Sequence, residues 1–239
     1  ELVNKRYYTA LHEAAETGGT DLVEMLVEMG MNPLFSNNPA RVHTAYDAAA
    51  EAKRWEITAL FRKHGYDKGA LVNAAYGDKQ AFIEYAKNND TDKFKTTSRM
   101  GYSPLHFATS KGHYDLVKFL LDNGANPRWA TAEGLECPTI AVEKGYKDIF
   151  KLFLDYGFDI NARDTTFYGN TPLIHATRFG NLDMINFLLD LGAYIGGPSA
   201  IGDTPLHNAV DANQIESARL LLDRGAVVGL KNHDAITPL

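Results

Sequence analysis

Short apolar clusters recur along the chain at helical spacing, and glycines follow them. Leu116, Val117, Leu120 and Leu121 form one cluster, and Met184, Ile185, Leu188 and Leu189 form another with the same i, i+1, i+4, i+5 spacing. That spacing gathers four side chains on one face of an α-helix. Gly30, Gly65, Gly124, Gly157, Gly192 and Gly225 each end an apolar stretch, as expected of helix stops, where glycine takes a left-handed conformation without steric penalty. A shorter helical stretch precedes each cluster, so the pattern predicts helix pairs such as 204–212 with 215–224. Unbroken apolar runs such as Leu120-Leu121 and Leu220-Leu221-Leu222 are far shorter than the roughly 20 residues that a membrane-spanning helix needs.

The pairs repeat. Ser103-Pro104-Leu105-His106-Phe107-Ala108 returns as Thr204-Pro205-Leu206-His207-Asn208-Ala209, with degenerate copies beginning at Thr9, Thr44 and Thr171 and a last start at Thr237. The alanines that close the motif are Ala14, Ala49, Ala74, Ala108, Ala141, Ala176 and Ala209, a period of about 33 residues. A unit of that size cannot bury its apolar face alone, so stacked copies must share one core through nearest-neighbour contacts.

These residues resemble the ankyrin repeat family, whose marks are T-P-L-H-x-A and an outer helix ending in Gly-Ala-Asp or a variant. Gly124-Ala125-Asn126-Pro127, Gly192-Ala193, Gly225-Ala226 and Gly157-Phe158-Asp159-Ile160-Asn161 carry the second mark. The resemblance covers essentially the whole chain and implies an all-α ankyrin-repeat solenoid of helix-turn-helix units with projecting β-hairpin loops. The repeats are expected at about 8–33, 43–66, 69–89, 102–124, 136–157, 170–192 and 203–225, with a truncated start at 237–239. Two departures stand out. Cys137-Pro138-Thr139 replaces Pro-Leu-His around Ala141, and the restriction that proline puts on its predecessor predicts a late helix start there. Around Ala49 the motif reads Thr44-Ala45-Tyr46-Asp47 with Lys53 at the turn glycine, and Ala74 follows only 25 residues later. A tight link in place of a hairpin is expected between Gly65 and Leu71, interrupting any binding groove.

Composition narrows the function. A chain that is 45% hydrophobic with a net charge of -6 can build a core and carries no Lys/Arg block of the kind that marks a nucleic-acid site. A single cysteine, Cys137, cannot form an intramolecular disulfide, which fits an intracellular, cytoplasmic setting. The chain starts without an initiator Met or a signal-peptide apolar region and stops at Thr237-Pro238-Leu239, so it reads as part of a larger protein.

Several positions carry side chains capable of chemistry. His12, His106 and His207 are of a type suited to metal or proton work, but the resemblance implies hydrogen bonds around the start of the first helix. Cys137 lacks a nearby base and reads as a buried thiol. Gly197-Pro198-Ser199-Ala200-Ile201-Gly202 misses the nucleophile elbow by one residue and reads as a hairpin tip. Asp90-Thr91-Asp92 opens like a calcium loop, but Lys95 stands where glycine is needed. Asn89-Asp90-Thr91 is a glycosylation sequon by pattern only. No catalytic residue, cofactor or metal site is expected, and the chain reads as no enzyme.

The resemblance implies instead that a partner protein sits on the concave face built from first helices and hairpin tips. Residues there that the repeat core does not require are Arg99, Tyr102, Phe107, Lys111, Phe167, Tyr168, Arg178 and Phe179, and such aromatic and Arg side chains are favoured at interface hot spots. The tip holding Phe167 and Tyr168 carries two extra residues. A competing reading packs these aromatics against the adjacent hairpin. Trp129 aligns with the small residue Ala162 and is a secondary candidate. The function expected is a protein-protein interaction module. The alternatives are the ankyrin part of an enzyme with chemistry elsewhere, or of a secreted bacterial effector acting on host proteins.

Overall fold

A computed structural model describes residues 9–35, 44–52, 54–66, 74, 77, 79, 82–83, 97–98 and 100–239. Arg99, Lys53, the 89–95 segment, the link at 67–71 and most of the repeat expected at 69–89 lie outside these residues. The chain divides into two compact units, 1–125 and 126–239. Among the described residues there is no β-strand.

In the first unit, α1 (Ala10–Thr17) and α2 (Thr20–Glu28) form one helix pair, and α3 (Ala45–Glu51) and α4 (Trp55–Lys63) form the next. First helix packs on first helix and second on second, α1 on α3 and α2 on α4. The core there includes Leu11, Val23, Ile57 and the fully buried rings of Tyr46 and Phe61, whose centroids are 4.8 Å apart. A third pair is α5 (Pro104–Ser110) with α6 (Tyr114–Asp122). Buried Phe82 meets Phe119 of α6 edge-on at 6.4 Å.

The second unit contains α7 (Cys137–Lys144) with α8 (Lys147–Asp155), α9 (Pro172–Arg178) with α10 (Leu182–Asp190), and α11 (Pro205–Asp211) with α12 (Ile215–Asp223). Helix α9 packs against both α7 and α11, and α10 packs against α12. The apolar faces read from the sequence are the buried ones: Met184, Ile185 and Leu188 of α10 are fully buried, each side chain contributing roughly 1.5 to 3 kcal/mol on leaving water.

Proline fits the first turn of α5, α9 and α11 because the amide it lacks has no helical partner at that position. The same reason corrects the late start expected for α7. It begins at Cys137, the position equivalent to Pro104 and Pro172, with Pro138 accommodated in its first turn and Glu136 as N-cap. The six stop glycines have φ between +79° and +92°, and a Cβ added at any of them would meet nothing within 4 Å. Backbone conformation alone requires glycine there.

Fingers connect the pairs. Each is closed at its base by a backbone hydrogen bond: Ser98 to Tyr102, Thr131 to Leu135, Asp164 to Asn170, Ser199 to Asp203, and Asn232 to Ile236. The Gly197–Gly202 segment thus runs into a finger. The finger that starts at Asp164 is two residues longer than the others.

Candidate protein-binding surface

The long finger is held from several sides. The Ala200 amide donates to the Tyr168 carbonyl at 2.7 Å, and Thr165 Oγ1 donates to the Gly134 carbonyl at 3.3 Å. At Gly134 (φ +81°) a Cβ would lie 2.9 Å from Thr166 Cα, so only glycine permits this approach of the two backbones. Two arginines support the same stack. Arg128 Nη2 donates to the Arg163 carbonyl and Arg163 Nε donates to the Pro198 carbonyl, both at 2.8 Å. Arg128 also pairs with buried Glu136, Nε to Oε2 at 3.3 Å. Burial pushes the Glu136 carboxyl up, and the Arg128 charge and hydrogen bond offset part of that.

At the base of the finger, the Asp164 side chain is almost completely buried and both its oxygens are used. Oδ1 accepts from the Thr166 amide at 3.1 Å, the Thr166 hydroxyl at 2.5 Å and the Asn170 amide at 3.0 Å, while Oδ2 is 2.6 Å from His175 Nε2 of α9. Burial alone would raise the Asp164 carboxyl. The hydrogen bonds from His175 and Thr166 and the His175 charge outweigh it, and the group lies below its ordinary value. Half-buried Glu143 of α7 is shifted the other way by burial, only partly offset by the charges of His175, Lys144 and Arg178.

The tip of this finger faces water. Phe167 is 86% exposed and Tyr168 48%, and their rings meet edge-on at 5.3 Å. Arg178 and Phe179 lie at the opposite end of α9, about 10 Å along the axis from its start at 1.5 Å per residue; Phe179 is 54% exposed. In the first unit Lys111 is exposed at the end of α5, whereas Phe107 is 8% exposed with Tyr102 beside it at 5.8 Å. Tyr102 also faces the His106 ring at 5.6 Å. Phe107 therefore offers little surface. Trp129, at 40% exposed, is partly open.

The repeat histidines are structural. His12, His106 and His207 accept the backbone amide of Thr9, Ser103 and Thr204 through Nδ1. The N-cap hydroxyl lies 2.8 to 2.9 Å from the same nitrogen, closing a capping box with histidine in the place of glutamate. Cys137 is buried and free of any disulfide. Among the described residues no group of His, Cys, Asp or Glu has the arrangement of a metal site, and no helix is long and apolar enough to cross a membrane.

Sequence reasoning missed the Asp164–His175 pair and the two arginines. Arg128 and Arg163 stand 35 residues apart, the local repeat spacing, and that signal could have found them. Asp164 occupies a finger position that holds Ser98, Thr131 and Ser199 elsewhere, and His175 is one residue beyond the capping position, held here by Ile174.

Comparison with known proteins agrees with this architecture. The chain is 28% identical over 81% of its length to alpha-latrocrustotoxin-Lt1a of Latrodectus tredecimguttatus, covering 13% of that protein. It is 26% identical over 73% of its length to the ankyrin repeat and KH domain-containing protein mask-1 of Caenorhabditis elegans, covering 6% of it. It is 30% identical over 38% of its length to the probable 26S proteasome regulatory subunit p28 of Saccharomyces cerevisiae, covering 40% of it. The chain thus spans well under two thirds of these relatives. Models described as ankyrin repeats in three copies match residues 48–131 and 138–232, and the single ankyrin repeat matches 6–38. Such repeats are non-catalytic modules that mediate protein-protein interaction, and with helix pairs, capping histidines and family models in agreement, this chain belongs to the ankyrin repeat family.

Proposed function

We infer that the chain binds a partner protein through the face lined by first helices and fingers, and that the long finger of the second unit is the centre of that contact. The observation that carries this reading is the exposure of Phe167 and Tyr168. Two adjacent aromatics stand in water at the tip of a finger whose base is fixed by four hydrogen bonds to one buried carboxylate. Folding gains little from an aromatic ring left in water, whereas a partner that covers it gains large apolar area from side chains of low entropy. Preordering of the finger lowers the cost of binding further. Phe179 and Arg178 extend the surface along α9; in the first unit the exposed Lys111 and the half-exposed Tyr102 are separate candidates. Arg99 lies outside the described residues, and the nearly buried Phe107 adds nothing to the reading. The chain acts as a non-catalytic binding module of a larger intracellular protein.

Binding of a recovered partner to single-site variants tests this. Phe167→Ala and Tyr168→Ala are each expected to lose about 2 kcal/mol, roughly thirtyfold in affinity, with the urea midpoint unchanged. Lys151→Ala on α8 serves as the control away from the fingers. Unchanged affinity for both aromatic variants rejects the site, and a loss confined to Lys151→Ala moves it to the outer helices.

A further inference from the structure

We propose that His175 is a positioning residue: through its bond to Asp164 it fixes the long finger in the posture that presents Phe167 and Tyr168, and so determines which partner surface fits. The proposal rests on the reading of that finger as the contact surface.

The long finger lacks the closure that the others share. The fingers at Ser98, Thr131 and Ser199 close with five residues, and a hydroxyl at the first position accepts the backbone amide at the last: Tyr102 to Ser98 Oγ, Leu135 to Thr131 Oγ1, and Asp203 to Ser199 Oγ. In the long finger the base is seven residues wide, and a hydroxyl at 164 would be one acceptor for a larger loop. Asp164 supplies two oxygens. Oδ1 gathers Thr166 and Asn170 and so closes the loop, which leaves Oδ2 as a second charged acceptor inside a nearly closed site. A buried carboxylate oxygen without a donor is costly, and the donor here comes from a helix. His175 Nε2, 2.6 Å away, is part of α9, which is packed between α7 and α11.

That bond ties a loop to a helix packed on both sides. Without it the finger is held by its own turn and by its neighbours' backbones. With it, the Asp164 side chain, and through it the Thr166 and Asn170 amides on either side of Phe167 and Tyr168, are referred to the frame of α9. The charged groups coupled to the pair are Glu143 of α7, which feels both His175 and Asp164, and Glu136, which feels Asp164 and is itself paired with Arg128. The position is also distinctive by register. The equivalent residues in the neighbouring repeats are Ile140 and Asn208, so only this first helix of the second unit carries a histidine there.

Amide hydrogen exchange at Thr166 and Asn170 reads the clamp without any partner. His175→Leu keeps bulk and removes the donor, and it should speed exchange at both amides about tenfold or more, as loss of a hydrogen bond to a charged group implies. His175→Gln restores an N–H donor and should bring exchange back toward wild type. If His175→Leu exchanges like wild type, or if Gln and Leu are equally fast, His175 fills space only and the proposal is overturned. Should His175→Leu fail to fold, Asp164→Ser with His175→Leu is compared with Asp164→Ser alone. Equal exchange in the two supports a histidine that acts through Asp164, and a further acceleration in the double variant refutes it. Partner affinity supplies the second readout. When Phe167→Ala weakens binding and His175→Leu does not, positioning is refuted while the contact surface stands. When Phe167→Ala has no effect, the surface reading fails, and the exchange result alone judges the clamp.

Discussion

Two neighbouring repeats in the second unit use histidine in adjacent registers, and the two outcomes differ. In α11 His207 sits at the third helical position, where Nδ1 caps Thr204 and Nε2 donates to the Ile236 carbonyl at 3.0 Å, tying one repeat to the finger that follows. In α9 that position is Ile174, and the histidine comes one residue later. His175 leaves the helix N-terminus to Thr171, whose hydroxyl accepts the Ile174 amide, and turns to the finger that precedes its helix. A shift of one residue on a helix rotates a side chain by about 100°. The capping histidine serves stability within the stack, while the shifted one serves the posture of a surface loop.

Stability measurements should separate the two. His207→Leu orphans the buried Thr204 amide and removes the bond to the Ile236 carbonyl, and it should cost about 2 kcal/mol in urea melts. His175→Leu should cost about 1 kcal/mol or less, because the finger can open to water and rehydrate Asp164 without disturbing the core. Equal losses would dissolve the distinction.

A smaller effect should appear in the pH dependence. Asp164 has a depressed folded-state pKa, so its contribution is fully present above the ordinary aspartate value of about 3.9 and is lost as pH falls through the lower folded value. Glu143 has a raised folded-state pKa, so the fold loses stability as pH rises through it. Asp164→Asn should therefore narrow its deficit against wild type under acid conditions, and Glu143→Gln should gain on wild type as pH rises above the ordinary glutamate range. Urea melts from about pH 3 to pH 7 check both signs. Parallel profiles for the two variants would contradict the assignment.

Much of this architecture was legible in the sequence because ankyrin stacking is local. The second helix expected at 215–224 is observed at Ile215–Asp223, and the two extra residues at Thr165–Tyr168 mark the longer finger. Exposure was harder to read. Phe107 and Phe167 both occupy positions that the repeat core does not require, yet one is 8% and the other 86% exposed. Phe107 sits on a helix with a tyrosine from the preceding finger beside it, whereas Phe167 is at the tip of a loop. The late start expected at Cys137 was misplaced because proline is excluded from helix interiors but welcome in a first turn. Asp164 and His175 were not paired because the period assigns histidine to the capping position, and a residue one step out of register looks like an ordinary exposed one.

The direct measurement is the dissociation constant of a recovered partner for a chain in which residues 164–170 are replaced by the five residues of the neighbouring finger, Ser199 to Asp203. That exchange removes Phe167, Tyr168 and the need for the His175 clamp together, and leaves the helix pairs to support a finger of the common length. We expect binding to weaken about thirtyfold or more while the urea midpoint stays near that of the wild type. An unchanged dissociation constant in a folded chain would contradict the long finger as the contact surface.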